Sequence, residues 1–157
     1  MKKFELTAES KINIFGKKLF RIKALISFGD VEEGETGGWI EKEENLEQSS
    51  GDAWVYGDAE VYGDARVYGD ARVSGNAEVY GNADYTTIHG FGTQFRTTTF
   101  FQCEDKQIRV SCGCFLGTIP EFREQVKNTR EGKIAEEYLM IADLMEKHFV
   151  KEKESGE

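Results

Sequence analysis

Residues 51–86, written in sixes, read GDAWVY, GDAEVY, GDARVY, GDARVS, GNAEVY and GNADYT. One position holds Val55, Val61, Val67, Val73, Val79 and finally Tyr85, and two residues before it stands Ala53, Ala59, Ala65, Ala71, Ala77 or Ala83. Gly with Asp or Asn fills the two places before each alanine. A helix cannot use this period. Six residues advance a helix by about 600°, so the valines would drift round its surface. A glycine every sixth residue would also cost about 1 kcal/mol apiece in a helix interior. A strand–turn repeat uses the pattern directly: Ala and Val two apart share one face of a short strand, and the Gly-Asp or Gly-Asn pair turns the corner. The reading is a solenoid.

The pairs Val55 to Ala59, Val61 to Ala65, Val67 to Ala71, Val73 to Ala77 and Val79 to Ala83 place a small residue four positions after an aliphatic one. In this the chain resembles the hexapeptide-repeat family. The resemblance implies a short left-handed parallel β-helix of triangular section, three hexapeptides per coil, usually trimeric. It extends less regularly back to Gly38-Trp39-Ile40, where Ile40 and Leu46 lie six apart, and the three-residue offset before Val55 predicts a loop over 47–50. With three hexapeptides to a coil, Trp54 stacks over Arg72, Arg66 over Asp84, Glu60 over Glu78 and Tyr62 over Tyr80. The first is a cation–π contact and the last an aromatic pair; the glutamates repel. Outward Trp, Tyr and Arg are what subunit interfaces enrich. Trp54, Arg72, Tyr62 and Tyr80 are therefore the candidate oligomer contacts, the alternative being that the aromatics shield the turns.

A chain of 157 residues suits one compact domain with its own core. Asp and Glu number 29 against 20 Lys and Arg, and the net charge of -9 argues against general nucleic-acid binding. Apolar runs such as residues 138–142 are too short to span a bilayer. Met1-Lys2-Lys3-Phe4 is followed by Glu5, not by an apolar run, so no signal peptide is read and the cytoplasm is the expected compartment. Three cysteines fit a reducing environment. Cys112-Gly113-Cys114 with Cys103 falls short of a zinc ligand set, so no metal and no cofactor are expected.

The expected fold is mainly β, with four segments. Residues 1–37 form a β cap, a hairpin of Lys11–Phe15 and Leu19–Ile26 around Gly16-Lys17. Residues 38–86 are the solenoid. Residues 87–150 hold a hairpin, Thr97–Phe101 with Gln107–Cys112, then two helices, and 151–157 are a charged tail. Thr118-Ile119-Pro120-Glu121 is a capping box opening the first helix. The second runs from Gly132 to Phe149 with an apolar stripe of Ile134, Tyr138, Ile141, Ala142 and Met145. A solenoid exposes its interior and strand edges at both ends, and the flanks cap them. Through Phe20-Arg21-Ile22-Lys23-Ala24-Leu25, Gly37-Gly38-Trp39-Ile40-Glu41, and Val110-Ser111-Cys112-Gly113-Cys114-Phe115 before Gly117-Thr118, the chain also resembles small proteins of bacteriophages and prophages of Gram-positive bacteria. That implies a genomic setting rather than a reaction.

Three classes of function follow. Hexapeptide-repeat proteins include acyltransferases that use a histidine as general base between subunits; His89 is the base candidate here, since His148 suits the dipole at the end of the last helix. Gly90-Phe91-Gly92 lacks the residues that complete a phosphate loop. The second class is ligand capture. Arg96 alternates with Thr98, and Arg109 with Ser111; joined by His89 and Tyr85 near a subunit boundary, they form a candidate site for an anion such as a nucleotide. Phage proteins that sequester host immune signalling nucleotides are small, oligomeric and non-catalytic, and the chain resembles that profile. The third class is a trimeric scaffold that contacts a host or phage protein. A calcium site from Asp52, Asp58, Asp64 and Asp70 is not expected, because only Asp52 and Asp70 stack. The expectation is a non-catalytic homo-oligomeric binder, with acyl transfer or pure assembly as the alternatives.

Overall fold

The glycine and lysine at 16 and 17 mark a reversal, and a hairpin forms there. In the computed structural model, described for residues 2–48, 51–81, 84–93, 96–113 and 115–150, with the Arg96 side chain outside that description, the chain is mainly β with two helices near its C-terminus. Strand β1 (Phe4–Ile12) pairs antiparallel with β2 (Lys18–Ala24), from Phe4↔Ala24 to Ile12↔Lys18. The strand expected to run to Phe15 stops at Ile12. The Asn13 Oδ1 accepts the N–H groups of Phe15 (2.9 Å) and Lys17 (3.0 Å), which turns the chain and leaves Ile14 exposed at the tip. Ser49-Ser50, Asn82-Ala83, Cys114 and the tail 151–157 lie outside the described residues.

Beyond β2 the pairing changes sense. Strand β3 (Thr36–Ile40) is antiparallel to β2 but parallel to β5 (Glu60–Val61), which is parallel in turn to β7 (Glu78–Val79). On a second side β4 (Trp54–Val55) pairs parallel with β6 (Arg72–Val73), and on a third Leu46 bridges Val67. Trp54 meets Arg72 and Glu60 meets Glu78, each three repeats on. Trp39 meets Glu60 and Leu46 meets Val67, a longer step that takes up the offset before Val55. The sheets are mixed and open, in the order β1-β2-β3-β5-β7 with β4-β6 beside it.

The alternation of Ala and Val fills the space between the ladders. Ala53, Val55, Ala59, Val61, Ala65, Val67, Ala71, Val73, Ala77 and Val79 are all buried in one cluster with Ile40 and Leu46. The corners need glycine: Gly63 has φ 66°, and a Cβ there would lie 2.6 Å from the Tyr80 carbonyl oxygen. Asn45, in a one-turn 3-10 helix (Glu43–Asn45), is fully buried and ties the segment before Leu46 to residues 63–65. Its Nδ2 donates to the Gly63 (3.2 Å) and Ala65 (2.8 Å) carbonyls, while its Oδ1 accepts the N–H groups of Glu41 and Lys42.

The C-terminal part is larger in β structure than the hairpin expected of it. Strands β8 (Tyr85–Phe91), β9 (Arg96–Gln102), β10 (Ile108–Cys112) and β11 (Phe115–Thr118) form an antiparallel meander. Tyr85, in the valine slot of the last repeat, pairs antiparallel with Phe101 instead of continuing the ladder. Helices α1 (Ile119–Thr129) and α2 (Gly132–Phe149) back one face, burying Phe122, Val126, Tyr138, Ile141, Ala142 and Met145 against Phe100 and Val110. The capping box forms: Glu121 N–H donates to Thr118 Oγ1 (3.3 Å), and Thr118 N–H to Glu121 Oε1 (2.8 Å). The other face covers the repeats, with Phe101 and Cys103 entering their core. The Cys103 turn also closes the ladder, since Ala77 bridges Cys103 and Glu104 N–H donates to the Asn76 carbonyl (3.0 Å). Among the described residues, no helix is long and apolar enough to cross a membrane.

Candidate functional site

Residues paired across antiparallel strands share a face of the sheet. The register of the meander therefore sorts the expected ligand residues. Tyr85 pairs Phe101, His89 pairs Thr97, Phe101 pairs Arg109 and Thr99 pairs Ser111, so these face the repeats. Thr98 pairs Cys112 and faces the helices. Thr98 is buried there and donates its hydroxyl to Cys112 Sγ at 3.2 Å. Arg109 is bound through both Nη atoms to Asp105, at 2.9 Å each, and that carboxylate together with the Cys103 thiol raises its pKa further. It serves the turn between β9 and β10. Ser111 is buried, and the Arg96 side chain lies outside the described residues. Of the five whose side chains are described, Tyr85, His89, Arg109 and Ser111 share one face of the sheet and Thr98 lies on the other.

The expected oligomer faces are covered in a different way. Trp54 points away from the repeat core, as its alternation requires, but it is 0% exposed because Phe4 and Phe28 pack edge-on against it at 6.3 and 5.3 Å. The N-terminal cap removes it from the surface. Arg72 holds the register expected of it over Trp54, yet its guanidinium lies over the Tyr56 ring at 5.1 Å and pairs with Asp30. Tyr62 and Tyr80 do stack, at 5.8 Å and 27°. Tyr62 is buried against Leu19 and Trp39, and only Tyr80 keeps an open face. The Glu60–Glu78 repulsion is relieved by Lys11, 2.9 Å from Glu60, and by the Tyr62 hydroxyl, which donates to Glu78 at 3.2 Å.

Two hollows flank β8. One, of about 330 Å³, lies between the repeats and the meander and includes Asp30, Asp52, Tyr56, Asp70, Arg72, His89 and Thr97. His89 is exposed there, its Nδ1 2.7 Å from Thr97 Oγ1. Burial opposes ionisation of Asp30, but the Tyr56 hydroxyl at 2.9 Å and the Arg72 charge overcome it and hold that carboxyl below its ordinary range. Asp70 accepts the Asp52 N–H at 3.0 Å. Three carboxylates surround one guanidinium that is already paired, so this cleft repels anions. Among the described residues no cluster has the makings of a metal site.

The other hollow, of about 530 Å³, is lined by Glu47, Arg66, Val67, Tyr68, Tyr85, Thr86 and Thr87. Val67 forms its floor. Arg66 and Tyr68 flank that inward valine and so share the outward face; Tyr68 is 61% exposed and meets Tyr85 edge-on at 6.3 Å. Tyr85 is buried, donates its hydroxyl to the Arg66 carbonyl, and has its pKa pushed up by burial. It stays a neutral donor. Of the five expected ligand residues whose side chains are described, this hollow holds Tyr85 alone. The alternation of Arg66 and Tyr68 about Val67 was a legible signal for the others; the closeness of Thr86 and Thr87 was not. No family model matches the chain, and no curated protein matches it.

Proposed function

We propose that the protein is a non-catalytic, homo-oligomeric binding protein whose hollow beside β8 takes a small anion bearing a planar ring, such as a nucleotide. The observation that carries this reading is the exposed Tyr68 ring beside Arg66, with Thr87 on the sheet face that Tyr85 also occupies, in about 530 Å³ of space. An open aromatic face stacks a base, a guanidinium suits phosphate oxygens, and the Thr87 hydroxyl adds a hydrogen-bonding group. In this reading the parallel pairings three repeats apart are rungs of a left-handed β-helix, and the assembly is a trimer. Sequestration of a host signalling nucleotide by a phage or prophage protein in the host cytoplasm is the role that fits.

Native mass spectrometry of the protein from phage-infected cells, before and after denaturation, tests it. A discrete small-molecule mass released from a trimer is the expected result. Tyr68→Ala and Arg66→Ala should each lower its occupancy about tenfold or more, with the oligomer mass unchanged. An empty assembly, or a monomer, would sink the reading. A second reading, acyl transfer with His89 as general base, draws on the exposure of that imidazole in the neighbouring cleft. Activity that survives His89→Ala removes it.

A further inference from the structure

A third hollow, of about 450 Å³, opens between β11 and the helices. Its walls are aromatic and aliphatic: Phe122 meets Phe115 at 5.7 Å and Tyr138 edge-on at 5.7 Å, and Val126 lines it as well. Arg130 also lines it, from the C-cap of α1. Among the described residues its guanidinium has neither an ion pair nor a side-chain hydrogen bond, whereas Arg72, Arg109 and Arg123 each hold a carboxylate. The carbonyl end of a helix favours a cation with or without a ligand, so its place on α1 alone would make no site. The aromatic hollow beside it does. Apolar walls with one or two placed polar groups are what small-molecule sites consist of.

We infer that this hollow binds an amphipathic monocarboxylate, its apolar body between Phe115, Phe122 and Val126 and its carboxylate on Arg130. Polyanions are disfavoured, because the negative end of the α1 dipole opposes any charge beyond the one Arg130 neutralises. This site is separate from the hollow beside β8 and does not depend on it.

Decanoate titrated into the whole protein, followed by NMR of the Val126 methyl groups, is the test. Saturable shifts at those methyls are expected, with uncharged decanol binding about tenfold more weakly or worse. Arg130→Leu should weaken decanoate by the same factor and leave decanol alone. Gln125→Glu, which sets a like charge at the hollow, should also weaken decanoate selectively while the rest of the spectrum stays folded. Equal binding of decanol and decanoate, indifference to Arg130→Leu, or no shift at millimolar decanoate overturns the inference. Shifts near Tyr68 and Thr86 instead would overturn this site and leave the first hollow standing.

Discussion

Asn45 is a polar residue at full burial, and its four hydrogen bonds serve two segments at once. Asn45→Ala removes a partner from two carbonyls and two N–H groups; the Glu41 N–H keeps the Val61 carbonyl, while the buried Ala65 carbonyl loses the Asn45 donor. We expect a loss of about 2–4 kcal/mol, read as a lower urea midpoint with an unchanged slope. Asp30 makes a pH-dependent contribution. Its folded pKa lies below the ordinary 3.8, so the stability it adds is complete above that value and is lost as pH falls through the lowered one. Asp30→Asn should therefore flatten the acid limb below about pH 4 in a series of thermal unfolding curves; an unchanged limb would remove the Arg72 and Tyr56 account of the shift. At this scale the sequence was informative about direction and silent about cover. Period alone turns the buried Ala and Val of the repeats inward. It could say only that Trp54 and Tyr62 point away from the repeat core, because Phe4, Phe28 and Leu19, which bury them, come from a hairpin far away in the chain.

Elements that carry their own punctuation were the legible ones. Helix α2 has the bounds read from its apolar stripe, and α1 begins at the Thr118 capping box. Thr118→Ala should cost about 1 kcal/mol, seen as a lower melting temperature and faster amide exchange in the first turn of α1. Strand β8 was illegible for a physical reason. Tyr85 continues the six-residue period, and only its pairing with Phe101 takes it out of the ladder. The division of the ligand residues has the same origin. Alternation within a strand shows that Arg109 and Ser111 share a face, but not which face. The β9–β10 turn sets that, and a slip of one residue would reverse it. Arg66 and Tyr68 were readable as outward neighbours; that Thr86 and Thr87 lie beside them follows from the turn into β8, which has no period.

At the scale of the molecule, the repeats specify three parallel ladders, while the antiparallel neighbours at their ends come from long-range pairing that no repeat encodes. Strand β2 borders β3 at one end, and the Cys103 turn borders β7 at the other through Ala77 and Asn76. Arg72 N–H on the second ladder is likewise taken by Thr99 Oγ1 at 3.1 Å. These contacts leave little backbone for another molecule to join. Glu104→Pro, which deletes the N–H given to Asn76, should produce concentration-dependent light scattering with a lag, under conditions where the parent protein stays clear. A run of short, near-identical parallel strands is a template that adds copies of itself lengthwise, as a fibril does. Here the last strand of the β3-β5-β7 series meets a turn of its own chain, and growth in one dimension is terminated before it can begin.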